Sequence, residues 1–197
     1  MRDLKTAVRY LFISKVRIKV LRLFFLHPDV PYHIRGVVRE VGEEINAVRR
    51  ELLRLEHIRL LKSERKGNRL YFTLIDTFPF FDELLSIVYK TYGLGGEIIR
   101  CQKELGDVKY ALLTKSYTKG IKTGMQDIDL LLIGKVNVPA LTAAVQRAER
   151  QTGREINYTV LKESEFILRK KRRDVFVLGM LSGSKVMLIG DEDELVL

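Results

Sequence analysis

Apolar residues along this chain recur first at a helical period and later in alternating blocks of helix and strand. From Ser14, a residue type that caps helices, a helical stretch runs to Leu26 and is stopped by His27-Pro28-Asp29. Residues 1–13 ahead of it read as a basic lead-in. Tyr32 to Val41, with Ile34, Val37, Val38 and Val41 apolar, predicts a short second helix, and Gly42 then breaks the pattern. Residues 43–57 predict a third helix. Its Ile45, Val48, Leu52 and Leu55 fall on one side, and Asn46, Arg50, Arg54 and His57 gather on the other. Leu60–Glu64 and Arg69–Leu74 then read as two strands joined around Arg65-Lys66-Gly67-Asn68, with Leu70, Phe72 and Leu74 alternating against Tyr71 and Thr73. After Pro79, Phe80–Tyr92 is helical again, with Phe81, Leu84, Leu85, Val88 and Tyr92 apolar.

Gly93, Gly95 and Gly96 form the loosest local run, so a domain boundary is expected there, giving domains 1–92 and 93–197. Beyond it, helical stretches at Glu97–Leu105, Pro139–Gln151 and Lys162–Lys171 alternate with strands at Lys109–Thr114, Ile128–Ile133, Glu155–Leu161 and Val186–Ile189. The expected fold class is α+β, with a small mixed sheet in the second half. At 197 residues the chain is long enough for two cores.

Composition adds one decisive fact, the placement of charge. Residues 1–75 hold 17 Lys and Arg against 8 Asp and Glu, a net +9, whereas residues 76–197 hold 18 against 17, a net +1. A polyanion bound by the first domain explains this, because each neutralised phosphate releases counterions and drives association. No segment pairs a lysine face with a broad apolar one, so a membrane surface is not the expected partner. Leu21–Leu26 is short and broken by Arg22, and reads as a core helix rather than a signal or anchor. One cysteine, Cys101, permits no internal disulfide, and His27, His33 and His57 have no zinc-ligand spacing. A cytoplasmic location is expected. Few Asn and Gln among many Glu, Lys and Arg point to surface ion-pair networks.

The polar side of residues 43–57 carries the side chains suited to duplex DNA: guanidinium forks bond guanine bidentately, and an amide does the same to adenine. Helix, tight turn, Arg-rich helix and a hairpin with a basic tip together resemble the winged helix-turn-helix domains of ArsR-like and MarR-like bacterial and archaeal regulators. The resemblance covers about the first third of the chain and implies the roles. Asn46, Arg50 and Arg49 would reach bases, while Arg54, Arg65, Lys66 and Arg69 would hold phosphates. It also implies a homodimer, with the helix after the hairpin pairing with its twin or packing beneath the second domain.

In the second half, Asp127 and Asp129 open the strand Leu130-Leu131-Leu132-Ile133 and emerge on one face, where two carboxylates repel unless a divalent cation lies between them. Together with Ser116 after the preceding strand, this spacing is similar to that of the minimal nucleotidyltransferases of the DNA polymerase beta superfamily. The resemblance implies a nucleotide held near Lys115 and Ser116 and magnesium at Asp127 and Asp129. Two departures bear on activity. Lys115 stands where that family has the glycine of a Gly-Ser turn, and Asn157 stands where a third carboxylate should be; an amide neither acts as a base nor donates charge to a metal. Glu155, two residues earlier on the same predicted strand face, is a candidate substitute that the pattern does not favour.

Lys170-Lys171-Arg172-Arg173 reads as a solvated helix end, with an anion site as the alternative, and Ser182-Gly183-Ser184-Lys185 lacks the upstream glycine of a phosphate loop. Aromatic residues sit at core periodicity, unlike the stacking platforms of RNA-recognition sheets. The expectation is a DNA-binding transcriptional regulator carrying a non-catalytic nucleotidyltransferase-like sensory or assembly domain. The alternatives are a magnesium-dependent nucleotidyltransferase that uses the basic domain to dock, and a protein-binding winged helix.

Overall fold

In the computed structural model, which describes residues 4–119 and 128–196, Ser14 caps the helix its position suggested. Its hydroxyl accepts the Arg17 amide at the start of Lys15–Leu26 (α2). The residues before it are not a lead-in: Leu4–Leu11 form α1, which buries Val8 and packs on α2 and on Phe81–Thr91 (α5). The chain is α+β and divides into two units, Met1–Thr91 and Tyr92–Leu197, which contain a three-stranded and a four-stranded sheet respectively.

In the first unit, Ile34–Val41 (α3) and Ile45–His57 (α4) pack with α2 around Phe24, Phe25, Val37, Val48 and Leu52, each nearly or fully inaccessible. Gly42 turns the chain between α3 and α4 in the left-handed conformation, φ +64°, which glycine alone adopts without strain. Tyr32–His33, expected at the start of α3, instead form the short strand β1. The reason is tertiary: their partners Phe72 and Tyr71 lie 40 and 38 residues away on Arg69–Leu74 (β3). The His33 ring accepts the Gly36 amide on Nδ1 at 2.7 Å, so α3 begins only after it.

Leu61–Lys66 (β2) pairs with β3 in antiparallel register from Leu61↔Leu74 to Lys66↔Arg69, giving the sheet order β1-β3-β2. The hairpin loop is thus only Gly67-Asn68. Gly67 at φ +60° followed by a residue at negative φ is the II′ arrangement that matches strand twist. Helix α4 ends in a Schellman closure: the Arg59 amide donates to Glu56 O at 2.8 Å and the Leu60 amide to Leu55 O at 3.0 Å, which places Arg59 itself at φ +61°. Helix α5 turns its apolar residues Phe81, Leu85 and Val88 inward and packs on α1 and α2.

The second unit contains Gly93–Arg100 (α6), Gly106–Leu113 (β4), Lys115–Lys119 (α7), Leu130–Val136 (β5), Val138–Thr152 (α8), Tyr158–Leu161 (β6), Glu163–Lys171 (α9), Val175–Ser182 (α10), Val186–Ile189 (β7) and Glu192–Val196 (α11). The sheet order is β6-β5-β4-β7, with β5 and β6 parallel and the other pairs antiparallel. One face packs Tyr110, Leu112, Leu131 and Ile133 with Phe166, Val177 and Leu195. The glycine run expected as a loose boundary is helical instead. Leu94 and Ile98 of α6 are fully buried and the helix packs on α8, so tertiary burial outweighs the glycine penalty. Helix α10 has no counterpart in the expected elements, because Val-Phe-Val-Leu-Gly-Met-Leu has no polar side to reveal a helical period. Asp174 caps it by accepting the Val177 amide.

Candidate functional site

Along α4 the buried side is Val48, Glu51, Leu52 and Leu55, and the exposed side is Ile45, Asn46, Arg49, Arg50, Leu53, Arg54 and His57. The polar stripe therefore has the direction its sequence predicts, with three corrections. Ile45, expected in the core, is 38% exposed, because it occupies the first turn of the helix. Leu53, 46% exposed, stands among the polar residues. The third is Glu51, a carboxylate only 2% exposed on the apolar side. It is satisfied by the Arg17 Nε of α2 at 2.5 Å, with Arg54 Nη1 at 3.6 Å from its second oxygen. Arg54, expected among the phosphate contacts, therefore leans back towards its own helix.

Glu44 closes the start of α4, accepting the amides of Asn46 at 2.7 Å and Ala47 at 2.9 Å on its two oxygens. Those two backbone hydrogen bonds hold its carboxyl below the ordinary carboxylate range, against the opposing effect of desolvation and with lesser help from Arg50. Lys19 of α2 reaches across the turn to Val41 O at 3.0 Å and Glu43 at 2.6 Å, which pins the approach of α4.

The basic hairpin tip is not one cluster. Register places Arg65 opposite Leu70, on the face that carries Phe72, while Lys66 and Arg69 face each other on the opposite side. Lys66 pairs with Glu64 at 3.4 Å. Among the described residues, Arg49, Arg50, Arg65 and Arg69 make no ion pair, and all four are exposed.

In the second unit, Asp129 precedes β5 and lies beside Asn157. The Asp129 amide donates to Asn157 O at 2.7 Å, and the Asn157 amide donates to Asp129 Oδ2 at 3.0 Å. The aspartate and the residue matching the third carboxylate are thus adjacent, but one carboxylate oxygen is already engaged by backbone. Glu155 is exposed and lies before β6, which begins at Tyr158, so it is not on the strand face expected of a substitute. Asp127 lies outside the described residues, as does the side chain of Ser116. Lys115 is exposed at the first position of α7. Among the described residues no group of three His, Cys, Asp or Glu could hold a metal. Of the carboxylates expected to hold magnesium, Asp129 is the one among the described residues, and it stands beside the Asn157 amide.

Sequence reasoning missed the neighbours of Asp129. Thr114, buried, donates its hydroxyl to Ile128 O at 2.6 Å and accepts the Tyr117 amide. The Arg154 guanidinium lies 4.9 Å from the centre of the Tyr117 ring. Burial pushes the Tyr117 hydroxyl up to about 12, against the lowering effect of Arg154. Nothing local marks these residues, since they meet only through the sheet.

The two motifs left over are structural. Lys185, 5% exposed at its side chain, donates to Leu181 O and Gly183 O and pairs with Glu192 at 2.8 Å, so it closes the end of α10. Lys170 donates to Leu195 O at 3.1 Å, tying α9 to α11, while Arg172 and Arg173 are exposed. No helix among the described residues is long and apolar enough to cross a membrane.

No protein-family model matches the sequence, and no curated protein matches it significantly. Among solved structures, the chain is similar to the crystal structure of human N-acetylserotonin methyltransferase in complex with SAM, at 14% identity and a TM-score of 0.30, over 90% of this chain and 46% of that one. The chain thus spans less than half the length of that protein, and a likeness this weak carries no argument about chemistry.

Proposed function

We propose that the chain is a sequence-specific regulator of transcription that binds double-stranded DNA. In this reading the first unit is a winged helix-turn-helix, α4 lies in the major groove, and the β2–β3 hairpin is the wing. One observation carries the reading: Asn46, Arg49 and Arg50 stand exposed on α4, opposite its buried side, in the unit where the chain's positive charge is concentrated. Asn46 and Arg50 reach base edges; Arg65, Lys66 and Arg69 hold phosphates. Two copies bind together, supported by the exposed apolar side chains of Val175 and Leu178 on α10, which favour a subunit contact in the second unit.

Selection of bound duplexes from random DNA, followed by salt titration, tests this. Arg50→Ala should cost about 1–3 kcal/mol and relax the preference at one base pair, whereas Lys66→Ala should weaken all sequences alike. Equal, sequence-blind losses in both variants would refute the division of roles, and no selected sequence at all would refute the function.

The second unit serves in this reading as a nucleotidyltransferase-like module that senses a nucleotide or mediates assembly. The parallel pairing of β5 with β6 beside Asp129 supports that likeness. The same observation favours a second reading, a magnesium-dependent nucleotidyltransferase that modifies a protein or nucleic acid. Against it stand Lys115, the Asn157 amide and the position of Glu155. Transfer of label from nucleotide triphosphates with magnesium, lost in Asp129→Ala, would establish the enzyme.

A further inference from the structure

Between the first turns of α3 and α4 and the wing turn lies an open hollow of about 420 Å³. It is lined by Arg35 from α3, Arg49 from α4 and Arg69 from β3 together with the apolar side chains of Ile34, Ile45 and Leu70. No described lining residue is acidic. Like charges brought to one hollow from three separate elements favour an anion between them. Arg17 and Arg54 of this unit share Glu51, and Arg39 lies 3.7 Å from Glu40, whereas Arg50 and Arg65 have no ion pair among the described residues but do not line the hollow. Arg35, Arg49 and Arg69 are exposed and have no such partner among the described residues.

We propose that this hollow seats one sugar–phosphate unit of a DNA strand bordering the groove read by α4, its phosphate shared by Arg35, Arg49 and Arg69 and its deoxyribose lying on Ile45 and Leu70. The proposal rests on the reading of the first unit as a duplex binder and changes two roles within it. Arg49 becomes a phosphate contact instead of a base contact, and Arg35, unremarkable in sequence, joins the interface. The apolar part of the lining distinguishes the ligand from a bare phosphate, because inorganic phosphate leaves Ile45 in water while a sugar face covers it. The size of the hollow is within the range of pockets, roughly 300–1,000 Å³, that enclose small organic groups. Shape favours a strand passing through, since the hollow is open.

Sharing has a measurable signature. Each neutralised phosphate contributes about 0.9 to the slope of log affinity against log salt, whatever the number of cations on it. The triple variant Arg35→Gln/Arg49→Gln/Arg69→Gln should therefore lose about one unit of slope per protomer, while three separate phosphates would give about three. Each single variant should weaken binding about tenfold, as expected for a charge-assisted hydrogen bond, and leave the selected sequence unchanged. Uncharged methylphosphonate placed at each phosphate of the selected duplex in turn should weaken the native chain at one position per half-site, and the triple variant should be insensitive there. A slope loss near three, a changed base preference in Arg49→Gln, or methylphosphonate sensitivity that persists in the triple variant would overturn the shared seat. So would competition by deoxynucleoside monophosphate with no sensitive duplex phosphate, which would make the hollow a free-nucleotide site. If the native chain selects no duplex, the underlying reading fails, and that outcome is distinct from all of these.

Discussion

Arg17→Met should destabilise the protein more than Glu51→Leu, although both remove the same ion pair. The pair joins α2 to α4 at 2.5 Å, but its two ends differ in surroundings: 36% of the Arg17 side chain is exposed and only 3% of that of Glu51. Taking away the arginine strands a carboxylate in the core, a change that costs about 3–5 kcal/mol in comparable buried pairs. Arg54 at 3.6 Å gives partial relief, which puts the expected loss near the lower end, about 3 kcal/mol. Taking away the glutamate instead leaves an arginine that already reaches water, and leucine supplies apolar volume at a buried position, so the loss should be about 1 kcal/mol or less. The double variant should lie close to Glu51→Leu, so that the coupling equals the loss in Arg17→Met, about 3 kcal/mol. Urea unfolding of the four chains, followed by circular dichroism, reads these differences from the midpoints at constant slope. If Glu51→Leu is as damaging as Arg17→Met, or the two losses add, Glu51 is not held by Arg17 and the packing of α4 rests on something else. The double variant should still bind the duplex selected by the native chain, since neither residue lies on the exposed stripe.

Other expectations concern titration and backbone. The Glu44 carboxyl is lowered by its bonds to the first amides of α4, so its contribution to stability is present above the ordinary carboxylate range and disappears as pH falls through the lower folded value; Glu44→Gln should flatten the acid side of the stability profile, and a parallel profile would contradict the cap. Tyr117 behaves in the opposite sense: with its hydroxyl pushed up to about 12, the unfolded chain releases that proton first, so stability should fall as pH rises from 10 towards 12. The fall should be shallower in Tyr117→Phe, as measured by urea midpoints at pH 9 and 11, values chosen as rough brackets of the ordinary tyrosine range. Arg59 occupies a left-handed position that costs a residue with a Cβ about 1–2 kcal/mol, so Arg59→Gly should raise stability by up to about 1 kcal/mol after the added freedom of the unfolded chain is subtracted. A fall in melting temperature would show that the Arg59 side chain contributes more than its backbone strain removes.

Sequence alone determined the features set by neighbours a few residues apart. Ser14 capping α2, Gly42 turning into α4, the polar stripe of Asn46 and Arg50, the β2–β3 hairpin and the strand after Asp129 all follow from local dihedral preference and apolar period, which act within one or two turns of chain. What the tertiary structure decided depends on partners far away in sequence. Tyr32 and His33 are a strand only because β3 offers an edge, and Glu51 is buried only because Arg17, 34 positions earlier, meets it there. A two-residue turn fixed the hairpin register and thereby separated Arg65 from Lys66 and Arg69, a division invisible while the loop length was open. Arg35, Arg49 and Arg69 carry no mutual signal in the sequence, because their common hollow exists only where α3, α4 and the β2–β3 hairpin converge. Local chemistry selects the elements; long-range packing selects which side chains meet.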